Sequence, residues 1–382
     1  MPDGSLIKPN HIILDQNLSD PAKMISGDIN SEAIQWIRAN SHRYLGKYTG
    51  EGQMTICQLS DDNNGGKTDA VYFADTDYTY MSGNEGDGRC DWFMRLPKFY
   101  YHAEEVEPDI WDIGFGQEPE ADDWKEWDGN DLIGCFKGYV RQSLLFSRKS
   151  ETPSCSIYPS VFKAYAQDRG TGYSLVKFKH HSMMAFLFYA MYGNTDSQVM
   201  CGAGSYATRK QTGYTDVLAM ADSTSIGYDG YVNFWGLENW WGDMFEIVDN
   251  VSINNRIWTI TEDDGSTREV QAGTSDGYIS KVLVGENLDM VPVSAEASSS
   301  TGFCDYYYQS SANSRVLTHS GNDLRSEGGV AVANASNGSG LSGPFYGSRL
   351  AFRGDIIVEN DVPTFRSIPV SNDGYGDNPV SP

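Results

Sequence analysis

The sequence predicts an α+β fold in which two short helices sit among many short strands. Three observations point there. The 382-residue chain is rich in aromatic residues (13%) and in glycine (40 residues), a combination that suits pleated, loop-rich domains better than helix bundles. Residues 158–168 and 180–192 carry helical patterning and run into Gly170 and Gly193, natural helix stops. Around them, apolar runs of strand length alternate with turns built from Gly, Asn, Asp and Ser.

Taken in order, residues 1–90 are expected to form a small N-terminal accessory module. A helix starts near Asn30, with Ile34, Ile37 and Trp36 facing a core. Residues 53–59 (QMTICQL) alternate as a strand, residues 61–66 (DDNNGG) form a turn, and residues 70–73 (AVYF) form another strand. The acidic turn lacks a downstream Glu at calcium-loop spacing and is not assigned to a metal. Residues 80–90 read as a linker. The main domain is expected over residues 91–357. It opens with a strand at residues 92–101 (WFMRLPKFYY), followed by an acidic loop over 104–131 whose Trp111, Trp124 and Trp127 pack back onto the domain. Residues 133–146 read as strand. The helix at 180–192 has an apolar face of Met183, Met184, Phe186, Leu187, Ala190 and Met191. His180 and His181 open this helix, about 100° apart around its axis, and are read as structural rather than as a metal pair. Asp305 and the three tyrosines after it read as a strand edge, and residues 358–382 as a loose C-terminal tail.

The net charge of −24 repels phosphate backbones and anionic lipid surfaces, so neither nucleic acid nor a membrane surface is an expected partner. No apolar run reaches membrane-spanning length. The first residues are polar and do not spell a secretion signal; the expectation is a route such as a phage component takes, or a trimmed N-terminus. Six cysteines (Cys57, Cys90, Cys135, Cys155, Cys201, Cys304) form no C-x-x-C pair. If oxidised, Cys57–Cys90 and Cys135–Cys155 are the natural pairs; separate buried thiols are the favoured reading. Asp222, Asp229 and Asp249 are candidates for a structural calcium ion, with no spacing that fixes their geometry, and no other cofactor is expected. No Ser/His/Asp triad, phosphate loop or H-E-x-x-H motif is present.

The sharpest motif is NFWGLENWWGDMFEIVD at residues 233–249. Gly236 and Gly242 permit tight turns, Trp235, Trp240, Trp241 and Phe245 would fill a core, and Glu246 is a structural hydrogen-bond acceptor rather than a catalytic partner of Asp249. This run resembles the signature of the formylglycine-generating-enzyme family, Gly-Leu-x-x-x-x-Gly-Asn-Val-Trp-Glu-Trp. Gly236, Leu237, Gly242, the aromatic Phe245 and Glu246 match; Asp243, Met244 and Ile247 depart. The family's C-terminal Gly-Phe-Arg-Leu-Ala is similar to Gly347-Ser-Arg-Leu-Ala here. The resemblance spans residues 92–356 and implies a C-type-lectin-like fold, two helices around twisted antiparallel sheets. In the family's enzymes, two nearby cysteines before the C-terminal motif bind copper. Residues 305–352 contain none and Cys304 stands alone, so a copper oxidase is kept only as an alternative.

Between the two landmarks, residues 318–346 are built from Ser, Gly, Asn, Ala and a few large residues. This segment resembles the variable region of proteins diversified by phage and bacterial retroelements, which mutate adenines at scattered exposed codons. The resemblance implies a constant frame at Arg315, Gly321, Ala331, Asn334, Ala335, Gly347 and Arg349. It implies a ligand-binding surface of Asn322, Asp323, Leu324, Arg325, Glu327, Val332, Ser336, Leu341, Phe345 and Tyr346, with Val332 facing out by strand parity. The expected function is non-enzymatic capture of a host or bacterial surface protein or glycan, displayed at a virion tail tip or on a bacterial surface. A homotrimer would suit a tail fibre, and a purely structural tail or fimbrial subunit is the remaining alternative.

Overall fold

Pro97 has no N–H to give a strand ladder, and the run expected as one strand over residues 92–101 divides there into Asp91–Arg95 and Phe99–Glu107. The two halves enter different sheets. The computed structural model describes residues 8–59, 70–73, 91–205, 209–215, 218–223, 230–321, 327–358 and 365–368; residue 57 and the strands 70–73 and 365–368 are described by backbone alone. The described chain is mostly strand with few helices, an α+β architecture.

A five-stranded sheet runs Ile25–Gly27, His11–Asp15, Ile110–Gly116, Phe99–Glu107 and Lys125–Trp127. The expected acidic loop is therefore largely a hairpin, and its Trp111, Trp124 and Trp127 are all buried as expected. A seven-stranded sheet runs Tyr173–Leu175, Leu350–Arg353, Asp131–Gly134, Asp91–Arg95, His42–Gly50, Gln53–Gln58 and Asp355–Val358. The expected strand at 133–146 is Asp131–Gly134 plus a separate hairpin, Tyr139–Arg141 with Leu144–Phe146. A third sheet is organised on Phe245–Asn254, flanked by Ile257–Thr261 and Arg315–His319, and it continues through Ala333–Asn334 to Tyr306–Tyr308 and Gly277–Tyr278. Tyr306–Tyr308 is thus paired on both sides and is not the edge the sequence suggested.

One boundary needs correction. The segment before residue 90 does not stand apart. His11–Asp15 pairs with Ile110–Gly116, and His42–Gly50 pairs with Asp91–Arg95. Ile12, Leu14, Ile34 and Ile37 lie in one buried cluster with Trp235, Trp258 and Tyr307. Within the expected tail, Phe365–Ile368 pairs antiparallel with Ala70–Phe73, and residues 359–364 and 369–382 lie outside the described residues. Strand pairing across long sequence separation leaves no local signature; the turn expected at 61–66 and the linker expected at 80–90 lie outside the described residues.

The helix Glu32–Ala39 is capped by Ser31, whose Oγ accepts from Ile34 N. Pro159–Gln167 and Phe178–Tyr192 are the two helices read from the sequence. The second is buried at every position from His180 to Ala190, so it runs through the core rather than presenting a single apolar face. His180 and His181 diverge as expected. His180 Nε2 faces Asp131 Oδ1 at 3.1 Å, while His181 stacks on Trp240. Cys135, Cys201 and Cys304 are buried and Cys155 is half-buried, and none of these four is in a disulfide, so Cys135 and Cys155 are not joined. Among the described residues no helix is long and apolar enough to cross a membrane.

Candidate binding face

The face is founded on a buried charge centre. Glu246 is fully buried, and its Oε1 accepts from Lys137 Nζ (2.9 Å) and Arg349 Nε (2.8 Å). Lys137 also donates to Met244 O and Ser320 Oγ, both at 2.8 Å. Arg349 spends its remaining donors on the carbonyls of Gly134, Cys135 and Glu238. Burial alone would raise the Glu246 carboxyl, but the Arg349 and Lys137 charges outweigh it and hold the group below its ordinary range. Tyr346–Gly347 runs parallel beside Phe245–Glu246. The motif at 236–248 and the motif at 347–352 are therefore one unit, and Glu246 is the acceptor expected of it.

An aromatic stack backs this centre. His319 stacks on His181 with centroids 4.5 Å apart, His181 stacks on Trp240, and the Arg349 guanidinium lies over Trp240. Burial pushes His319 down to about 4 and His181 well below its ordinary value, so both rings are neutral near pH 7.

From here the segment expected to carry the ligand surface departs. Gly242 N donates to Ser320 O, and Gly321 presses against the next strand so tightly that a Cβ would fall 1.8 Å from Phe245 N; no larger residue fits. Asn322, Asp323, Leu324 and Arg325 lie outside the described residues. Glu327 is half-buried, its carboxylate accepting from Tyr308 OH and its carbonyl from Tyr306 N. The chain then turns inward. Asp305 Oδ2 accepts from Ala331 N at 2.7 Å, and Ser197 Oγ accepts from Val330 N.

Val332 is 1% exposed, which overturns its placement on the surface. The parity argument assumed an extended strand, but only Ala333–Asn334 pairs as one, and Val330, Ala331, Val332 and Ala333 are all buried. The chain emerges at Ser336, where buried Asn334 locks the turn: its Oδ1 accepts from Ser336 N, Ser336 Oγ and Asn337 Nδ2. Ser336 and Leu341 are half-buried on the loop that follows. Phe345 is 39% exposed while its carbonyl accepts from Phe245 N, and half-buried Tyr346 stacks on Phe245. Ser336, Leu341, Phe345 and Tyr346 are thus brought to one loop; Glu327 lies on the far side of the buried stretch.

Neighbouring loops complete the face, and none was singled out in the sequence. Ser156 N donates to Gly343 O at 3.0 Å, which sets residues 154–158, with exposed Tyr158, alongside the loop. Arg209 Nη1 donates to Cys155 Sγ at 3.1 Å. Lys210 N donates to Asp243 Oδ1, and the Lys210 ammonium lies over the Tyr231 ring, itself stacked face to face on exposed Tyr214. Buried Glu238 holds this second loop by accepting from Gly213 N and from Thr215 N and Oγ1. A lone tyrosine or arginine in a polar stretch carries no pattern, so only the fold reveals these neighbours.

Of the calcium candidates, Asp229 lies outside the described residues. Asp222 accepts from Tyr192 OH and Trp235 N, and Asp249 pairs with Lys163 at 2.5 Å, so each already has its own partners. Asp249 borders a polar cleft of about 590 Å³ whose charges pair internally, Lys177 and Arg353 with Asp263. No known protein family matches the chain, and no curated protein matches it.

Proposed function

We propose that the chain is a non-enzymatic binding protein with a C-type-lectin-like scaffold, and that the loop at residues 336–346 is its variable contact surface. One observation carries this reading: depth separates most frame positions from the contact positions on the loop. Gly321, Ala331, Asn334, Ala335, Gly347 and Arg349 are buried and Arg315 is half-buried, whereas Ser336, Leu341, Phe345 and Tyr346 reach the surface of one loop; Val332 is buried with the frame. A segment can tolerate variation at contact positions only if its fixed positions hold the backbone independently. The joining of the two sequence landmarks through Glu246 and Arg349 supports the lectin-type scaffold. Copper-oxidase chemistry suits the chain poorly, because burial raises the Cys304 thiol and no cysteine follows it before residue 352. The natural setting of such a surface is a virion tail tip or a bacterial exterior, its ligand a surface protein or glycan.

The test is a loop exchange. Replacing residues 336–346 with an equal-length Gly/Ser segment should abolish attachment to target cells while the melting temperature stays nearly constant. Unchanged attachment would favour a structural tail or fimbrial subunit. A genomic observation bears on the diversification: a near-copy of the coding region for residues 318–346, differing at adenines, should lie beside a reverse-transcriptase gene.

A further inference from the structure

A second cleft lies where the helix Phe178–Tyr192 meets the strands Phe99–Glu107, Lys125–Trp127 and Ile257–Thr261, and it encloses about 310 Å³. That volume is at the small end for a ligand site. Buried Met183 and Ile260 give it an apolar floor. Its walls are acidic: among the described residues, seven carboxylates line it against three bases. Each base is held by carboxylates of the wall. Lys179 sits 2.7 Å from Asp131 and 2.5 Å from Asp263, Arg353 pairs with Asp128 and Asp131, and Arg268 pairs with Glu262 and Asp289. Lys98 and Lys177 reach in from outside to Glu126 and Asp263. With these two added to the three, five cations meet seven carboxylates, and the wall keeps a negative surplus.

Acidic walls alone do not make a site; Tyr101 supplies the second observation. It is 9% exposed and shares the inward face of its strand with Phe99. It lines the cleft, and its hydroxyl lies within the field of Asp289, Glu262 and Arg268. Yet that hydroxyl makes no hydrogen bond to any described residue. A buried tyrosine hydroxyl ordinarily finds a partner. The groups around it are already engaged: both Asp289 oxygens and Glu262 Oε1 lie within 2.6 Å of the Arg268 guanidinium. Each carboxylate oxygen still has a lone pair for a further donor.

We infer that this cleft takes a small organic cation, a primary ammonium that donates to the Tyr101 hydroxyl and to the Glu262 and Asp289 carboxylates while its hydrocarbon stem lies on Met183 and Ile260. The acid surplus selects a cation over a neutral or anionic ligand. The free hydroxyl fits the same choice, because an ammonium brings three donors and no acceptor, and these three groups accept. An inorganic ion is the poorer fit. Among the described residues no three His, Cys, Asp or Glu side chains are placed to hold a metal, and the apolar floor offers one no ligand. The ammonium can belong to a free amine or to a lysine side chain of a partner; the chemistry is shared. None of the lining residues belongs to the candidate face, so the inference does not depend on the loop at residues 336–346.

The test is calorimetry on the full chain with cadaverine as the probe. Pentanol and pentanoate serve as neutral and anionic comparisons, magnesium chloride as an inorganic cation, and N-acetyl-lysine amide as the side-chain form of the amine. Cadaverine should bind saturably, and pentanol and pentanoate should not. Tyr101→Phe should lower cadaverine affinity about tenfold, the loss of a hydrogen bond to a charged group. Its melting temperature should stay unchanged, because no internal hydrogen bond is lost. Glu262→Gln should lower the affinity by a similar factor. Silence with cadaverine overturns the inference, as does pentanol binding as tightly, or magnesium displacing cadaverine at equal ionic strength. A Tyr101→Phe variant with full affinity overturns it too, and a destabilised one shows that the hydroxyl has an internal partner and overturns it equally. Tighter binding of N-acetyl-lysine amide than of cadaverine supports the site and assigns its ligand to a partner's lysine; weaker binding supports a free amine.

Discussion

The centre around Glu246 and the loop at residues 336–346 meet where Tyr346–Gly347 runs beside Phe245–Glu246, and they are built on opposite principles. At the centre a carboxylate, an ammonium and a guanidinium are buried, with both cations within 2.9 Å of the carboxylate. On the loop the backbone is held by a few turn hydrogen bonds, and the side chains reach solvent. A buried ion network tolerates almost no substitution, because removing one partner strands the others without solvent. An exposed loop on a fixed stem tolerates nearly all. On the proposed reading, the contrast would let the segment vary while its ends stay fixed: Arg349 and Ser320 tie both ends of it to the same charge centre.

The largest expected effect comes from the centre. Glu246→Gln removes the carboxylate that Lys137 and Arg349 share and leaves two buried cations facing each other. The loss should be about 3–5 kcal/mol of unfolding free energy, read from urea midpoints. A loss under about 1 kcal/mol would show that the centre does not hold the stem, and the contrast would fail.

Next in size is a pH effect on the same region. The folded state depresses His319 to about 4, against an unfolded value near 6.5, and depresses His181 in the same direction. As pH falls through about 6.5 the unfolded chain takes up protons first. Stability is therefore intact above that pH and declines toward about 4, with His319 alone accounting for roughly 3 kcal/mol. His319→Gln should flatten the pH dependence between about 6.5 and 4.5, before carboxylates such as Glu246 begin to titrate. An equally steep profile in that variant would assign the acid sensitivity to other groups.

How much of this was legible in the sequence follows from locality. The two helices, the Gly193 stop, the packing of Trp111, Trp124 and Trp127, and the acceptor role of Glu246 rest on residue type within a short window or a motif, and they could be read. The sheet that joins His11–Asp15 to Ile110–Gly116 could not, because nothing in either strand names its partner. The Val332 error has the same origin. Alternation predicts faces only where a strand exists, and here Asp305, more than twenty residues upstream, pulls Ala331 inward and ends the alternation. The aromatic and basic neighbours of the loop come from three separate segments and are visible only once the fold assembles them.

Val332 gives an intermediate effect that sharpens the boundary between stem and surface. Its side chain is buried beside Ala331 and Ala333, so Val332→Ala should cost about 2 kcal/mol from lost burial and the residual cavity. Natural variants of the segment should keep a small apolar residue there while changing at 336, 341 and 345. Denaturation of Val332→Ala and Val332→Asp decides this. A neutral result for the Asp variant would return the position to the exposed surface.

The smallest effect on stability should accompany the largest effect on binding, at Phe345. Its backbone carbonyl, not its ring, makes the hydrogen bond to Phe245 N, and the neighbouring Tyr346 supplies the stack on Phe245. With the ring 39% exposed, Phe345→Ala removes little buried area, and the unfolding free energy should shift by no more than about 0.5 kcal/mol. A backbone already fixed before any ligand arrives leaves only the two side-chain torsions of the ring to be ordered on contact. Attachment to target cells should accordingly fall at least tenfold in Phe345→Ala, whereas Tyr346→Ala should lower both attachment and stability because it also breaks the stack. The reverse pattern, a destabilised Phe345→Ala with full attachment, would make Phe345 a local plug of the stem and move the contact surface elsewhere.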